Sequence, residues 1–302
     1  MEKLWPNDLN EFSIKKDYAP EEFKNTISKM NPLFRGVAAN DAKDLVNFII
    51  MTLHEELNKA DKNMVNNNNI INLDQTNPQI MFNAFAQNFM LENKSIISDL
   101  FFGINCNVTQ CGGCGVKTFN YQTYFFIVFP LEEVRKSKMS NQFNFNYNNN
   151  FNNNMVNIFD CFEYDRKINF LTGTNAMYCN FCKRTCGSSM CTILTTGPEI
   201  LILLLNRGKG IEFDVKINFV EKLNLSNYIQ YANTGCNYKL IGVITHMGES
   251  GMGGHFIAYC LDPISTNLWF KYNDSIVTQV NNFQNEVIDY AMPYLLFYQK
   301  IQ

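Results

Sequence analysis

His255 and Asn273 are the two side chains whose types and spacing combine most directly into a chemistry. Two runs of alternating character, His255-Phe-Ile-Ala-Tyr-Cys-Leu261 and Leu268-Trp-Phe-Lys-Tyr-Asn273, flank the segment Asp262-Pro-Ile-Ser-Thr-Asn267. Alternation on either side of a Pro, Ser and Asn turn reads as a β-hairpin. Closed symmetrically on Ile264, the hairpin makes His255 and Asn273 direct cross-strand neighbours, with Cβ atoms roughly 4.5–5.5 Å apart. Strand alternation then sends Asp274 to the other face, which favours Asn273 as the group that orients the imidazole. An imidazole held by a carboxamide oxygen is two thirds of a Cys-His-Asn apparatus, in which the imidazole activates a thiol and later protonates the leaving amine. The alternative is a half-buried strand histidine with a polar neighbour. The Gly-rich approach Met247-Gly-Glu-Ser-Gly-Met-Gly-Gly254 favours the catalytic reading. Its glycines let another backbone come close to His255, as a site accepting an extended, glycine-ended peptide requires.

The run Gly254-His-Phe-Ile-Ala-Tyr259, followed by Trp269-Phe-Lys-Tyr-Asn-Asp-Ser275 and Val277, resembles the His box of the ubiquitin-specific proteases, papain-like cysteine deubiquitinases. The resemblance implies that His255 is the catalytic base and Asn273 the third triad member, with Asp274 beside it. It also implies ubiquitin as partner, with Gly253 and Gly254 and the strand residues Leu203 and Leu205 as contacts for its tail. Further motifs extend the likeness. Asn40-Asp-Ala-Lys-Asp-Leu45 is similar to the family box Gln-Gln-Asp-Ala-x-Glu-Phe, departing at Asn40, Asp44 and Leu45; Ser95 to Gly103 is similar to the family's approach to its fingers, and Pro198-Glu-Ile-Leu-Ile-Leu-Leu-Leu-Asn-Arg207 to a buried family strand.

The family's nucleophile lies in a box reading Gly-Asn-Thr-Cys-Tyr-Met-Asn at a helix start, where the helix dipole and free N–H groups lower the thiol pKa and help hold an oxyanion. No cysteine precedes Cys106 here, and none of the ten follows that pattern. Cys260 is on the same strand as His255 at odd spacing and faces away. The sequence therefore nominates no nucleophile.

Cys111-Gly-Gly-Cys114 and Cys179-Asn-Phe-Cys182 are tight knuckles, each presenting two sulfurs to one ion, and two knuckles make a tetrahedral thiolate site for zinc. The interval between them is longer than in a compact zinc ribbon, so unliganded or redox thiols are the alternative. The resemblance favours structural zinc, since ubiquitin-specific proteases commonly carry such knuckles at their fingertips. Cys106, Cys186 and Cys191 lie nearby but lack the two-residue spacing.

The elements that must position these groups follow in order. Residues 1–38, with Pro6, Pro20 and Pro32, read as irregular apart from a helix around Glu21 to Met30. Ala42, Leu45, Val46, Ile49, Leu53 and Leu57 keep helical spacing behind the capping Asp41. His54 on that helix, followed by Glu55 and Glu56, reads as a solvated or packed surface residue. Asn66 to Asn69 form a polar break, and a second helix is expected over Gln79–Leu91. Past Gly103 the period becomes two, giving a strand pair over Ile104–Thr109 and Val116–Phe129 around the first knuckle. The Asn-rich segment Asn141–Asn154 reads as a mobile insertion. Gly197–Arg207 reads as a fully buried strand, and Tyr238–Thr245 as the strand leading to the His box, closed by a packing residue, His246.

With 302 residues, 46% of them hydrophobic, the chain can bury a large core, and its net charge of −3 gives no footprint for nucleic acid. No apolar run has the length of a signal peptide core or a membrane span, so an intracellular protein, cytoplasmic or nuclear, is expected, with its cysteines reduced or metal-bound. The oligomeric state is not written in the sequence. The family resemblance implies a fold that is α+β and papain-like: a single domain over 1–302 with a helical thumb part over 1–100, zinc-bearing β fingers over 101–195 including the insertion 141–154, and an antiparallel palm sheet with the His box over 196–302. Three functions fit: a cysteine deubiquitinase whose Cys box lies in an upstream segment, an inactive ubiquitin-binding relative, or a zinc-stabilised scaffold.

Overall fold

The computed structural model of the chain describes residues 20–36, 40–61, 73–142, 155–208, 214–231, 235–248, 253–265, 267–289 and 292–301. The polar break at Asn66–Asn69 and nearly all of the Asn-rich insertion lie outside them.

Four helices lead the described chain: α1 (Glu21–Met30), α2 (Ala42–Leu57), α3 (Pro78–Glu92) and α4 (Ile96–Phe101). Each of the last three starts on a side-chain cap. Asp41 accepts from Lys43 N at 2.8 Å, Asn77 accepts from Gln79 N and Ile80 N, and Ser95 forms a reciprocal capping box with Ser98. Such caps satisfy N–H groups that the first helical turn leaves without partners.

His54 corrects the expectation of a surface residue. It is buried, its Nδ1 lies 2.7 Å from Ser95 Oγ, and its ring centroid lies 5.0 Å from that of Phe102. The same Ser95 hydroxyl caps α4, so α2 and α4 meet through one small polar network at the helix N-terminus.

The fingers follow. Strands β1 (Gly103–Cys111) and β2 (Lys117–Tyr124) form the hairpin around the first knuckle, then come β3 (Phe126–Pro130), helix α5 (Leu131–Gln142), β4 (Met155–Asn157), helix α6 (Ile158–Asp165) and β5 (Asn169–Leu171). The short hairpin of β6 (Met177–Cys179) and β7 (Arg184–Cys186) carries the second knuckle and leads into β8 (Ser188–Thr196). One sheet has the order β2-β1-β8-β5 and is antiparallel throughout.

The remaining strands are β9 (Ile200–Asn206), β10 (Lys216–Asn218), β11 (Lys222–Asn224), β12 (Asn237–Met247), β13 (His255–Leu261), β14 (Trp269–Asn273), β15 (Ile276–Gln279) and β16 (Pro293–Ile301). Seven strands run β15-β14-β13-β12-β16-β9-β3, with β11 added beside β12; β3 pairs with β9 in parallel and all other pairs are antiparallel. Both faces of this sheet are covered at β9. Leu201, Leu203 and Leu205 join the large core with Val243, Tyr259 and Trp269, while Ile202 and Leu204 face Ile50 and Ile97 of the helices. The continuous aliphatic run of β9 follows from this two-sided burial. Arg207 at its end is itself buried, donating from Nε to Pro293 O and from Nη1 to Val215 O, and burial pushes its guanidinium down to about 10.

Candidate active site and thiol cluster

Strand β13 pairs with β14 through Ala258↔Tyr272, Tyr259↔Lys271, Cys260↔Phe270 and Leu261↔Trp269. The symmetric closure on Ile264 therefore does not occur. The register is displaced by two residues, because the loop hydrogen bonds Asp262 N to Leu268 O and Leu268 N to Ser265 O close the hairpin on its C-terminal side. A shift of two preserves side-chain parity. His255 and Asn273 are thus diagonal rather than direct neighbours, and still share a face. Their side chains meet, with Nε2 of His255 2.6 Å from Oδ1 of Asn273. A carboxamide oxygen only accepts, so Nε2 carries the proton and Nδ1 holds the lone pair.

Asp274 is also placed differently from the strand expectation. It adopts φ 50° in the tight turn from β14 to β15, and this left-handed backbone swings its carboxylate back, Oδ2 lying 3.7 Å from His255 Nε2. The imidazole thus has two oxygen partners on its Nε2 side. Its side chain is 45% exposed and that of Asp274 80% exposed, so the pair opens to solvent.

Gly254 has φ 157°, and a Cβ there would collide with the His246 ring and the Met247 carbonyl. The backbone that comes close at this glycine is the chain's own neighbouring strand, which brings β13 tightly onto β12. Gly253 is exposed with nothing near its Cα. Leu203 and Leu205 are both fully buried in the core, so they cannot contact a ubiquitin tail; the strand pattern that marks them as apolar also marks them as interior. His246 packs edge-on against Phe256 at 4.9 Å between centroids, and burial lowers its pKa. It is a packing residue, as its place at the end of β12 implies.

Among the described residues no thiol is recorded in contact with His255. Cys260 lies on the opposite face of β13, and burial pushes it up to about 11. Cys106, Cys161 and Cys236 are buried elsewhere.

The second cluster is made by the two knuckle hairpins. The sulfurs of Cys111, Cys114, Cys179 and Cys182 all lie within 4.8 Å of one another. Cys111 Sγ is 3.8 Å from Cys182 Sγ, and Cys114 Sγ is 3.7 Å from Cys179 Sγ. Tetrahedral zinc with Zn–S bonds of about 2.3 Å holds its sulfurs about 3.8 Å apart, so the donor set and its spacing fit that ion. The backbone shapes the knuckles. Gly115 has φ 73° and Lys183 φ 55°, Gly113 N points at Cys111 Sγ at 3.3 Å, and Gly112 N donates to Gly187 O at 2.8 Å across the two hairpins. Backbone N–H groups of Cys114 and Gly113 directed at Cys111 lower its thiol to about 6, the thiolate state that a metal needs.

Comparison with known proteins agrees with this architecture. The family model "Ubiquitin carboxyl-terminal hydrolase" matches residues 1–298. Ubiquitin carboxyl-terminal hydrolase 2 of Gallus gallus is 26% identical over 306 residues, covering 98% of this chain and 76% of that protein. Its namesake in Homo sapiens is 25% identical, covering 99% of this chain and 46% of that protein. The chain thus spans less than half of the human relative. Among solved structures, a SAGA DUB module of Ubp8, Sgf11, Sus1 and Sgf73 bound to monoubiquitin superposes with a TM-score of 0.65 at 21% identity, over 93% of this chain and 52% of the matched one. A yeast SAGA DUB module structure gives 0.59 at 24% identity, over 87% and 51%. That likeness establishes a shared mixed α/β fold, with helices over antiparallel sheets and a four-cysteine cluster that could hold a metal ion. With the family model matching over nearly its whole length, this chain belongs to the ubiquitin carboxyl-terminal hydrolase family, as a ubiquitin-specific protease catalytic domain.

Proposed function

We propose that this chain supplies the base half of a cysteine-type deubiquitinase, His255 acting as general base and acid and Asn273 as the residue that holds it. The observation that carries the reading is the 2.6 Å contact from His255 Nε2 to Asn273 Oδ1. It holds the imidazole through Nε2 and leaves Nδ1 available for a reacting thiol. The nucleophilic thiol comes from a segment outside these 302 residues. Nδ1 takes the thiol proton, and the thiolate attacks the carbonyl carbon at the ubiquitin C-terminus. The resulting imidazolium gives its proton to the departing amine as the C–N bond breaks. A water, deprotonated by the same imidazole, then releases the acyl group from sulfur. Asp274 Oδ2, 3.7 Å from His255 Nε2, stands as a second oxygen beside the imidazole.

The four thiolates of Cys111, Cys114, Cys179 and Cys182 hold structural zinc in this reading. The ion cross-links the two hairpins and, with all four positions filled by sulfur, leaves none open for water. Partners are ubiquitin and ubiquitin-bearing proteins. No described helix is long and apolar enough to cross a membrane.

The 302-residue chain is expected to bind ubiquitin in titration calorimetry without being labelled by an electrophilic ubiquitin probe. A version extended to an upstream cysteine of the full transcript should be labelled, and its His255→Ala variant should not. An upstream in-frame stop with no cysteine box overturns this reading. It leaves an inactive ubiquitin-binding relative, which the lack of a described thiol beside His255 favours. Absence of ubiquitin binding by either version leaves the zinc-stabilised scaffold.

A further inference from the structure

A fifth sulfur adjoins the four-thiol cluster. Cys186, at the end of β7, places its Sγ 3.7 Å from Cys182 Sγ and outside the set of four. The chain makes room for it: a Cβ on Gly113 would stand 2.6 Å from Cys186 Sγ, so any larger residue in the first knuckle would displace this sulfur. The Arg184 guanidinium reaches the same spot, 3.2 Å from that Cβ position, and interacts with the sulfurs of Cys182 and Cys186. Cys186 also lines an open depression of about 640 Å³, together with Gln110, Phe170 and Thr172, through which a small solute reaches it. None of this is needed to bind a metal with four ligands.

We infer that Cys182 and Cys186 form an oxidisable pair, a modification site at which a peroxide-class oxidant converts the metal-bound knuckle into a disulfide and releases the ion. The inference rests on the zinc reading above. Cys186 thiolate attacks one peroxide oxygen; an S–O bond forms, the O–O bond breaks, and the hydroxide that leaves takes up a proton to become water. Cys182 thiolate then attacks the sulfenic sulfur of Cys186; the S–S bond forms, the S–O bond breaks, and the hydroxide that leaves takes up a proton from solvent to become a second water. The two sulfurs together lose two electrons and the peroxide gains them. Bond formation brings the two sulfurs from 3.7 Å to about 2.05 Å. With Cys182 in a disulfide, only Cys111, Cys114 and Cys179 would remain to hold an ion, which would be released.

The test uses the whole chain, purified with zinc. Zinc content is measured first by elemental analysis, then hydrogen peroxide is added and released zinc is followed with a chromogenic chelator. Wild-type protein and the control Cys191→Ser are expected to release zinc about tenfold faster than Cys186→Ser, and non-reducing peptide mapping is expected to link Cys182 to Cys186. Cys186→Ser and Cys186→Ala should bind zinc as fully as wild type. Equal release rates in wild type and Cys186→Ser overturn the inference, as does a disulfide joining any other pair. Loss of zinc in both Cys186 variants also overturns it, since Cys186 would then be a ligand. A wild-type chain that binds no zinc refutes the metal reading instead, and the mapped disulfide still reports on the pair.

Discussion

The phenolic oxygen of Tyr294 lies 2.8 Å from both carboxylate oxygens of Asp41, a residue 253 positions away. Asp41 also caps α2 through Lys43 N, and the Tyr294 ring lies 5.5 Å from that of Phe256, beside His255. One carboxylate therefore ties the start of a helix to the middle of the sheet, immediately behind the strand that carries the imidazole. Tyr294→Phe keeps the ring and removes the hydroxyl. It should lower stability by about 1.5–3 kcal/mol, the worth of a hydrogen bond to a charged acceptor, measured by urea unfolding.

The thiol cluster joins two hairpins that share few other contacts, so its ion should matter locally. Cys179→Ser is expected to reduce bound zinc to background in elemental analysis. Chelation of the wild-type protein should increase amide hydrogen exchange in β6 and β7 by at least about tenfold while leaving β9 and β16 protected. Unchanged exchange in the two hairpins after verified metal removal would refute a structural role.

Asp165 ends α6, where an added negative charge opposes the helix dipole, and burial raises its carboxyl from 3.8 to about 6. The folded state therefore holds a proton that the unfolded chain gives up. This contribution to stability is complete below the unfolded value and is lost as pH rises through the folded one. Asp165→Asn should leave stability unchanged near pH 3 and raise it by about 1–3 kcal/mol at pH 7.5, read from thermal unfolding at both pH values. Equal curves at pH 7.5 would refute it.

In the extended, thiol-bearing protein, His255→Ala should reduce hydrolysis of a fluorogenic ubiquitin substrate by at least about a thousandfold, and Asn273→Ala by about ten- to a hundredfold. Asp274→Ala should cost less than Asn273→Ala, because its oxygen stands 3.7 Å from the ring and Asn273 Oδ1 stands 2.6 Å away. The reverse order would make the carboxylate the orienting group.

Much of this architecture is legible from local pattern. The helix over Glu21–Met30 has the bounds its sequence implies, α2 begins behind Asp41, and the knuckle cysteines converge because Cys-x-x-Cys spacing dictates a turn with both sulfurs on one side. The face shared by His255 and Asn273 follows from parity, which a two-residue slip preserves, whereas the register depends on loop hydrogen bonds that composition does not reveal. Asp274 departs because a positive φ at a turn releases it from strand alternation. Leu203 and Leu205 are misread for a different reason. Resemblance marks a strand as part of a binding region without saying which of its atoms reach the surface. His54 with Ser95, and Cys186 with Cys182, are long-range or out-of-motif meetings that no periodicity encodes.

The central position of β16 has a consequence for how the molecule is made. Strands β12 and β9 both pair with it, yet Pro293–Ile301 is the last of the described strands to be synthesised. Until it emerges from the ribosome, its two neighbours present bare backbone edges rich in aliphatic side chains, open to adhesion with other chains. A nonsense mutation before codon 293 would remove β16 and part β12 from β9, and its product should be cleared by proteolysis or aggregate.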